Sequence, residues 1–317
     1  MFTESGVLFP TDFSPFARYA MPYAVAIARQ YRATLHLAHV LDSAVFSVGG
    51  GHGIWLTKAD SDNLLASMRE HAESRLANLA EKAEDAGVET QCHVVKGKPQ
   101  NETIRLAREC GCGLVVIPTH GRSGFDRFVY GSVCEKVVRQ SPVPVLSIKH
   151  PEHDFVAEDD FTIRLERVLF PTDFSEFSGQ ALPYAVSLCR EFGARLTLVH
   201  VTEIPLIMPE FLPETVTTLD ETAESSARES LDAMTARIED VVVEAELRRG
   251  LAHREICQAV IDGDVDLVVV PTHGRSGIAQ VLFGSVAEKV ARLAPCPVLT
   301  VRPQARAGGF ETAPRPC

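Results

Sequence analysis

Pro118-Thr119-His120-Gly121-Arg122-Ser123-Gly124, followed after six residues by Gly131-Ser132-Val133, returns almost letter for letter as Pro271-Thr272-His273-Gly274-Arg275-Ser276-Gly277 with Gly284-Ser285-Val286 behind it. In each copy an apolar run, Leu114 to Pro118 or Leu267 to Pro271, predicts a buried strand. The glycines then release the backbone, and Gly-Ser opens an amphipathic stretch with helical spacing. Strand, glycine loop and helix start in that order suit phosphate. A helix N-terminus presents unpaired N–H groups and the positive end of a dipole, and glycine lets an anion come close to the backbone.

The repeat extends outward from this stretch. Val7-Leu8-Phe9-Pro10-Thr11-Asp12-Phe13-Ser14 recurs as Val168-Leu169-Phe170-Pro171-Thr172-Asp173-Phe174-Ser175, 161 residues on, and the same offset carries His39-Val40 onto His200-Val201. Farther along the offset is 153, taking Gly131 to Gly284 and Pro144 to Pro297, so the length change falls in a loop or helix end between. Within the first copy, strands are predicted over Gly6 to Pro10, Ala33 to Val40, Val88 to Val95, Leu114 to Pro118 and Val143 to Ile148. Helices are predicted over Ala17 to Tyr31, Asp60 to Ala86 before Gly87, Asn101 to Glu109 and Ser132 to Arg139. Ser14-Pro15 is a helix start with Ser as N-cap, and Ser175 repeats the cap. Pro142 and Pro144 place the fifth strand near an edge, since proline supplies no ladder donor.

Strand and helix alternate throughout, which predicts an α/β protein of two repeated doubly wound domains. Each is an open five-stranded parallel sheet of order 3-2-1-4-5 with helices on both faces. The boundaries follow from composition: domain 1 over 1–149, an acidic and solvated linker over 150–163, domain 2 over 164–302, and a disordered tail rich in Pro, Gly, Ala and Arg over 303–317.

A length of 317 residues itself argues for two domains, and 45% hydrophobic with 23% charged residues argues for a globular chain rather than a fibrous or disordered one. No apolar run approaches the roughly 20 residues needed to cross a bilayer. Met-Phe-Thr-Glu-Ser carries no basic stretch before an apolar one, so a cytoplasmic location is expected. The net charge of −11 argues against a nucleic-acid partner. Eight scattered cysteines fit reduced thiols rather than a disulfide framework. Cys110-Gly111-Cys112 is the one close pair, and neither its spacing nor its sequence neighbourhood forms a recognisable zinc site, so no metal ligands are assigned.

In doubly wound sheets a ligand sits beyond the carboxyl ends of the strands where the winding reverses. With strand one central, Pro10-Thr11-Asp12 faces the loop from Pro118 to Gly121 across that crevice. Asp12 then either binds a ribose hydroxyl or a base amine, or supports the turn into the helix capped by Ser14; recurrence of the same Asp favours the ligand. The turn after Val40 offers backbone groups to a purine, and Gly131-Ser132 offers amides to phosphates. His120 and His273 read equally as phosphate sensors and as turn residues. Arg122 and Arg275 pair with phosphate or lie in solvent; Gly49-Gly50-Gly51-His52-Gly53 with Trp55 is a lid or a mobile loop. Glu135-Lys136 and Glu288-Lys289 read as a solvated helix face.

Taken together these residues resemble the universal stress protein family in its tandem two-domain form. The likeness covers nearly all of the chain outside the linker and tail. It rests on Val-Leu-Phe-Pro-Thr-Asp-Phe-Ser, on the His-Val strand end, and on the Gly-x9-Gly-Ser loop before Val-x-Glu-Lys-Val. Nucleotide-binding members carry Gly-x2-Gly-x9-Gly-Ser/Thr. The resemblance implies that Asp12 and Asp173 contact a ribose and that Val40 and Val201 meet adenine through the backbone, with Pro10, Thr11, Pro171 and Thr172 lining the pocket. It implies that Gly121, Gly131, Ser132 and Val133, and Gly274, Gly284, Ser285 and Val286, hold the phosphates of ATP, ADP or AMP, with Mg as an accompanying ion. One departure stands out. Pro118 and Pro271 replace the first glycine of the pattern, so a ligand that uses that N–H or that space binds less tightly or with fewer phosphates.

The expected function is a stress-linked nucleotide sensor or regulator acting through protein partners, with no general base, nucleophile or metal cluster evident beside the loop and hence slow hydrolysis at most. A scaffold with vestigial pockets is the alternative. Adenylation or pyrophosphatase chemistry ranks third, because Pro-Thr-Asp-Phe-Ser stands where a Ser-Gly-Gly-x-Asp-Ser loop is needed. The fifth strands are natural edges for joining the halves, and the resemblance implies a pseudo-two-fold arrangement within one chain, to which a further homodimer could be added. No membrane partner is expected.

Overall fold

A computed structural model describes residues 6–42, 58–119, 131–149, 154–157, 159–203, 213–272 and 284–302. The first half runs β1 (Gly6–Pro10), α1 (Pro15–Tyr31), β2 (Leu35–Asp42), α2 (Lys58–Asp85), β3 (Thr90–Gly97), α3 (Pro99–Glu109), β4 (Cys112–Pro118), α4 (Ser132–Gln140) and β5 (Val145–Ile148). The second repeats it as β6 (Arg167–Pro171), α5 (Glu176–Phe192), β7 (Arg195–Thr202), α6 (Pro213–Thr235), β8 (Val243–Arg249), α7 (Ala252–Asp262), β9 (Leu267–Pro271), α8 (Ser285–Leu293) and β10 (Val298–Val301). The helix starts follow the predicted chemistry: Ser14 Oγ accepts from Ala17 N and Ser175 Oγ from Ser178 N, each at 3.2 Å. The loop bearing Gly49 to Gly53 and Trp55, and the tail, lie outside the described residues. Among the described residues, no helix is long and apolar enough to cross a membrane.

The expected order 3-2-1-4-5 is present in each half, and the two fuse into one ten-stranded sheet, β3-β2-β1-β4-β5-β10-β9-β6-β7-β8. Pairing is parallel within each half, and β5 and β10 meet antiparallel. Leu146 pairs with Leu299, its own repeat equivalent, flanked by Ser147↔Val298 and Val145↔Thr300, so the pseudo-two-fold axis passes through that leucine pair. The hydroxyls obey the same symmetry: Ser147 Oγ donates to Val298 O and Thr300 Oγ1 to Val145 O, both at 3.1 Å. The fifth strand is therefore an edge of its half but an interior strand of the molecule. Pro142 and Pro144 precede it, so each ladder position of β5 keeps its donor.

Strands β1 and β4 are buried on both faces, which explains their unbroken apolar runs. On the face covered by α1 and α5 a single core cluster passes through both halves; on the face of α3, α4, α7 and α8 each half has its own. The solvated reading of the linker is corrected here. Phe155 and Val156 are buried at 4% and 3% exposure, and Val156 bridges Ile163. Asp154 accepts from the hydroxyls of Tyr19 and Tyr23 on α1. Asp159 and Asp160 are exposed, while Phe155 and Val156 drop into the groove between the halves, where covering α1 and α5 offsets the cost of ordering them.

Candidate functional site

The end of β1 is a preorganised turn, and the end of β6 repeats it. Thr11 Oγ1 accepts from Phe13 N at 3.0 Å and Asp12 Oδ1 from Ser14 N at 2.9 Å; Thr172 Oγ1 and Asp173 Oδ1 accept from Phe174 N at 3.1 Å and Ser175 N at 3.0 Å. These bonds hold Phe13 and Phe174 at φ of 62° and 59°, the left-handed region that a bulky side chain seldom enters. Each ring then stacks on a strand-end histidine, Phe13 on His39 at 4.5 Å and Phe174 on His200 at 4.4 Å between centroids. The histidine Nδ1 groups donate to Thr11 O at 2.8 Å and Thr172 O at 2.7 Å, which ties the end of β2 or β7 to its neighbour. The His-Val repeat signalled these residues without revealing that the imidazole braces the turn.

Opposite the turn stands a helix start. Gly131 and Gly284 are the N-caps of α4 and α8, with no side-chain cap, and their own amides donate to Thr119 O and Thr272 O at 2.7 Å. The first amides to turn inward are those of Glu135 and Glu288, at 3.0 and 2.9 Å from the cap carbonyls. The three amides before each, Ser132 to Cys134 and Ser285 to Ala287, are the donors that a helix start leaves for a ligand. Their glycine caps have φ of −63° and −60°, so no left-handed backbone calls for glycine there.

In the second half these parts line one cleft of about 850 Å³. It gathers Pro171, Thr172 and Asp173 from the end of β6, Val201 from β7, and Gly284, Ser285 and Val286 from the start of α8. The volume lies in the range of small-molecule sites. Glu203, Ser226, Ser230 and Ile256 also line it. The small residues of α6 were missed in sequence because their spacing reads as an ordinary helix face. In the first half Pro10, Thr11, Asp12, Val40, Gly131, Ser132 and Val133 occupy the equivalent strand ends and helix start. Gly121, Gly274, His120, His273, Arg122 and Arg275 lie outside the described residues. Glu135 and Glu288, expected on a solvated face, are about two-fifths exposed and both lie near Arg139, which joins α4 to α8 at 3.2 Å from Glu288.

The geometry also accounts for the prolines. Backbone amides alternate sides along a strand. Thr11 N donates to Ala38 O of β2 at 2.8 Å and Thr119 N to Ile148 O of β5 at 2.8 Å, so the nitrogens of Pro10 and Pro118 turn toward each other. Thr172 N to Val199 O at 2.8 Å and Thr272 N to Val301 O at 2.9 Å set Pro171 against Pro271 in the same way. Pairing of β1 with β4 ends at Leu8↔Val115, and of β6 with β9 at Leu169↔Val268, short of all four prolines. They stand where the central strands part, on sides where an N–H would find no strand partner, so the ladder loses nothing by them.

Comparison with known proteins bears on both halves. The sequence model of the universal stress protein family matches residues 6–149 and 164–302. A universal stress protein of Mycolicibacterium smegmatis is 26% identical over 309 residues, covering 95% of this chain and 98% of that protein. One of Methanocaldococcus jannaschii is 28% identical over 148 residues, 47% of this chain and 84% of its own length. The crystal structure of a universal stress protein from Archaeoglobus fulgidus aligns with a TM-score of 0.68 over 94% of this chain and 98% of that one; at 24% identity this likeness speaks for the fold. Matched in both halves and along nearly its whole length by a tandem relative, the chain belongs to the universal stress protein family.

Proposed function

We propose that the protein binds ATP, or its di- or monophosphate, in the crevice of each half and acts as a nucleotide-responsive regulator of the stress response rather than as an efficient enzyme. The observation that carries this reading is the second-half cleft. Three motifs far apart in sequence converge there, with a carboxylate at one end and the bared amides of α8 at the other. The carboxylate of Asp173 suits ribose hydroxyls, the backbone at Val201 suits a purine edge, and the helix start suits phosphate, with Mg²⁺ accompanying the phosphates. The facing prolines Pro171 and Pro271 offer no N–H to the cleft, and the amides at the start of α8 are the backbone donors that suit the anion. A cytoplasmic location accompanies the reading, supported by seven free cysteines among the described residues.

The test is the content of the freshly purified protein by mass spectrometry, followed by calorimetry with ATP. Adenine nucleotide near one or two per chain is expected. Gly284→Val places a branched side chain beside the first-turn amides and is expected to abolish the second site while sparing the first. Absence of nucleotide together with no calorimetric response to ATP would leave a scaffold with vestigial pockets.

A further inference from the structure

The opposite end of the first-half sheet, away from the crevice, collects a second set of chemically reactive groups. His36 lies on β2 on the same face as Ala38, and Ala38 pairs with His93 of β3, so both imidazoles stand on the α3 side of the sheet. Cys110 caps the end of α3 next to them. His36 Nδ1 is 3.1 Å from His93 Nε2, and Cys110 Sγ is 3.9 Å from the same nitrogen. All three ligand atoms lie within 4.8 Å of one another. Among the described residues these groups find hydrogen-bond partners only in each other. His36 is buried, while His93 and Cys110 are half-buried and open to entry from solvent.

We propose that His36, His93 and Cys110 form a zinc site, with His36 Nδ1, His93 Nε2 and the Cys110 thiolate as its three protein ligands and water in the fourth position. A tetrahedral zinc with nitrogen at about 2.05 Å and sulfur at about 2.3 Å sets N···N near 3.3 Å and N···S near 3.6 Å, close to the two spacings to His93 Nε2 present here. Two imidazoles and a thiolate exclude magnesium and calcium, which take oxygen, and suit zinc. The backbone is shaped for the cluster. A Cβ at Gly6 would lie 2.7 Å from both Cδ2 and Nε2 of His36, so glycine at the start of β1 is what admits the ring. Gly111, at φ of 62°, turns the chain directly after Cys110.

The repeat supplies an internal control. The equivalent positions of the second half are Arg167, Thr197, Glu246 and Gly263, and there the corner is closed by Arg167 donating to Asp264 at 2.5 Å and to Asp264 O at 3.1 Å. The first half has Gly6 in place of that arginine, and His36, His93 and Cys110 in place of Thr197, Glu246 and Gly263. The set leaves no local signal in the sequence because its members come from β2, β3 and the end of α3, 57 and 17 residues apart.

The experiment uses the full chain, reduced, stripped of metal, and titrated with Zn²⁺ against a chromophoric chelator. One tightly held zinc per chain is expected. His93→Gln and Cys110→Ser are each expected to weaken it at least about 100-fold, beyond what loss of a supporting hydrogen bond costs. Cys92→Ser, on the same strand but the opposite face, should leave it intact. With Co²⁺ as probe, the thiolate-to-cobalt charge-transfer band should be present in the wild type and absent in Cys110→Ser. No zinc held against the chelator, affinity unchanged in both variants, or a band that survives Cys110→Ser and vanishes in Cys112→Ser would overturn the assignment. Should a variant lose its fold by circular dichroism, the wild-type cobalt band decides: one cobalt per chain with the band supports the site, and no band rejects it. Nucleotide binding at the far end of the sheet is a separate readout.

Discussion

At the scale of the residue, Asp12 and Asp173 hold the turn into the helix, and the proposed function gives each a second use at a ribose. Oδ1 of each is committed to the amide of the capping serine, and in the second half Ser175 Oγ donates to it as well, at 2.6 Å. The two uses separate by mutation. Ser175→Ala removes the cap of α5 and should cost about 1 kcal/mol in urea unfolding while leaving nucleotide affinity nearly unchanged. Asp173→Ala should cost a similar amount of stability and in addition weaken ATP at the second site by about tenfold in calorimetry, the worth of one hydrogen bond to a charged group. Equal effects of the two variants on affinity would mean that the aspartate acts only through the turn. The left-handed Phe13 and Phe174 beside it are a local strain that stacking on histidine offsets, and such strain gathers at working sites.

At the scale of the element, the strand ends and helix starts divide the labour of the crevice. Where β6 and β9 part, prolines remove the donors that would have pointed across the gap, and α8 supplies donors from the other side. Pro271→Ala restores an N–H facing the crevice. It should lower stability by less than about 1 kcal/mol, chiefly through a freer unfolded chain. Nucleotide affinity should hold or rise, since the new donor faces the ligand; a fall in affinity by calorimetry would show that the proline ring itself makes the contact.

At the scale of the molecule, the halves are held by the β5–β10 ladder, the shared core under α1 and α5, and polar links that include Tyr31 to Glu191 at 2.5 Å and Arg139 to Glu288 at 3.2 Å. Lys149 at the end of β5 adds a further link, donating to Arg292 O and to Ala294 O at 2.8 Å. Several buried groups make this assembly sensitive to alkali. Burial, then the hydrogen bond to and charge of Asp154, pushes the Tyr23 hydroxyl far above its usual value, and burial pushes the Cys112 and Cys189 thiols up to about 12. Such groups ionise first in the unfolded chain, so their stabilisation is full below the ordinary thiol and phenol range and is lost as pH climbs toward the folded values. Lys149, pushed down to about 8 by burial, works in the opposite sense but is outnumbered. The urea midpoint should therefore fall between about pH 9 and 11. Tyr23→Phe should cost about 1–3 kcal/mol at neutral pH and flatten that fall; an unchanged slope would remove Tyr23 from the account.

What the sequence determined by itself was whatever local pattern and repetition encode. The periodicity of Val7 to Phe9 and Leu114 to Pro118, the serine caps and the offset copies were enough for strand order, helix starts and the strand-end and helix-start residues that line the second-half cleft, because each depends on neighbours along the chain or on its twin in the other half. Other features were decided only in three dimensions. Phe155 is buried because two helices leave a groove for it, Pro118 is harmless because β1 has already parted from β4, and His36 comes near His93 and Cys110 because Gly6 on the neighbouring β1 has no side chain to displace its ring. Each of these is a contact between segments remote in sequence, and no local spacing records which remote segment the packing of a sheet will bring alongside.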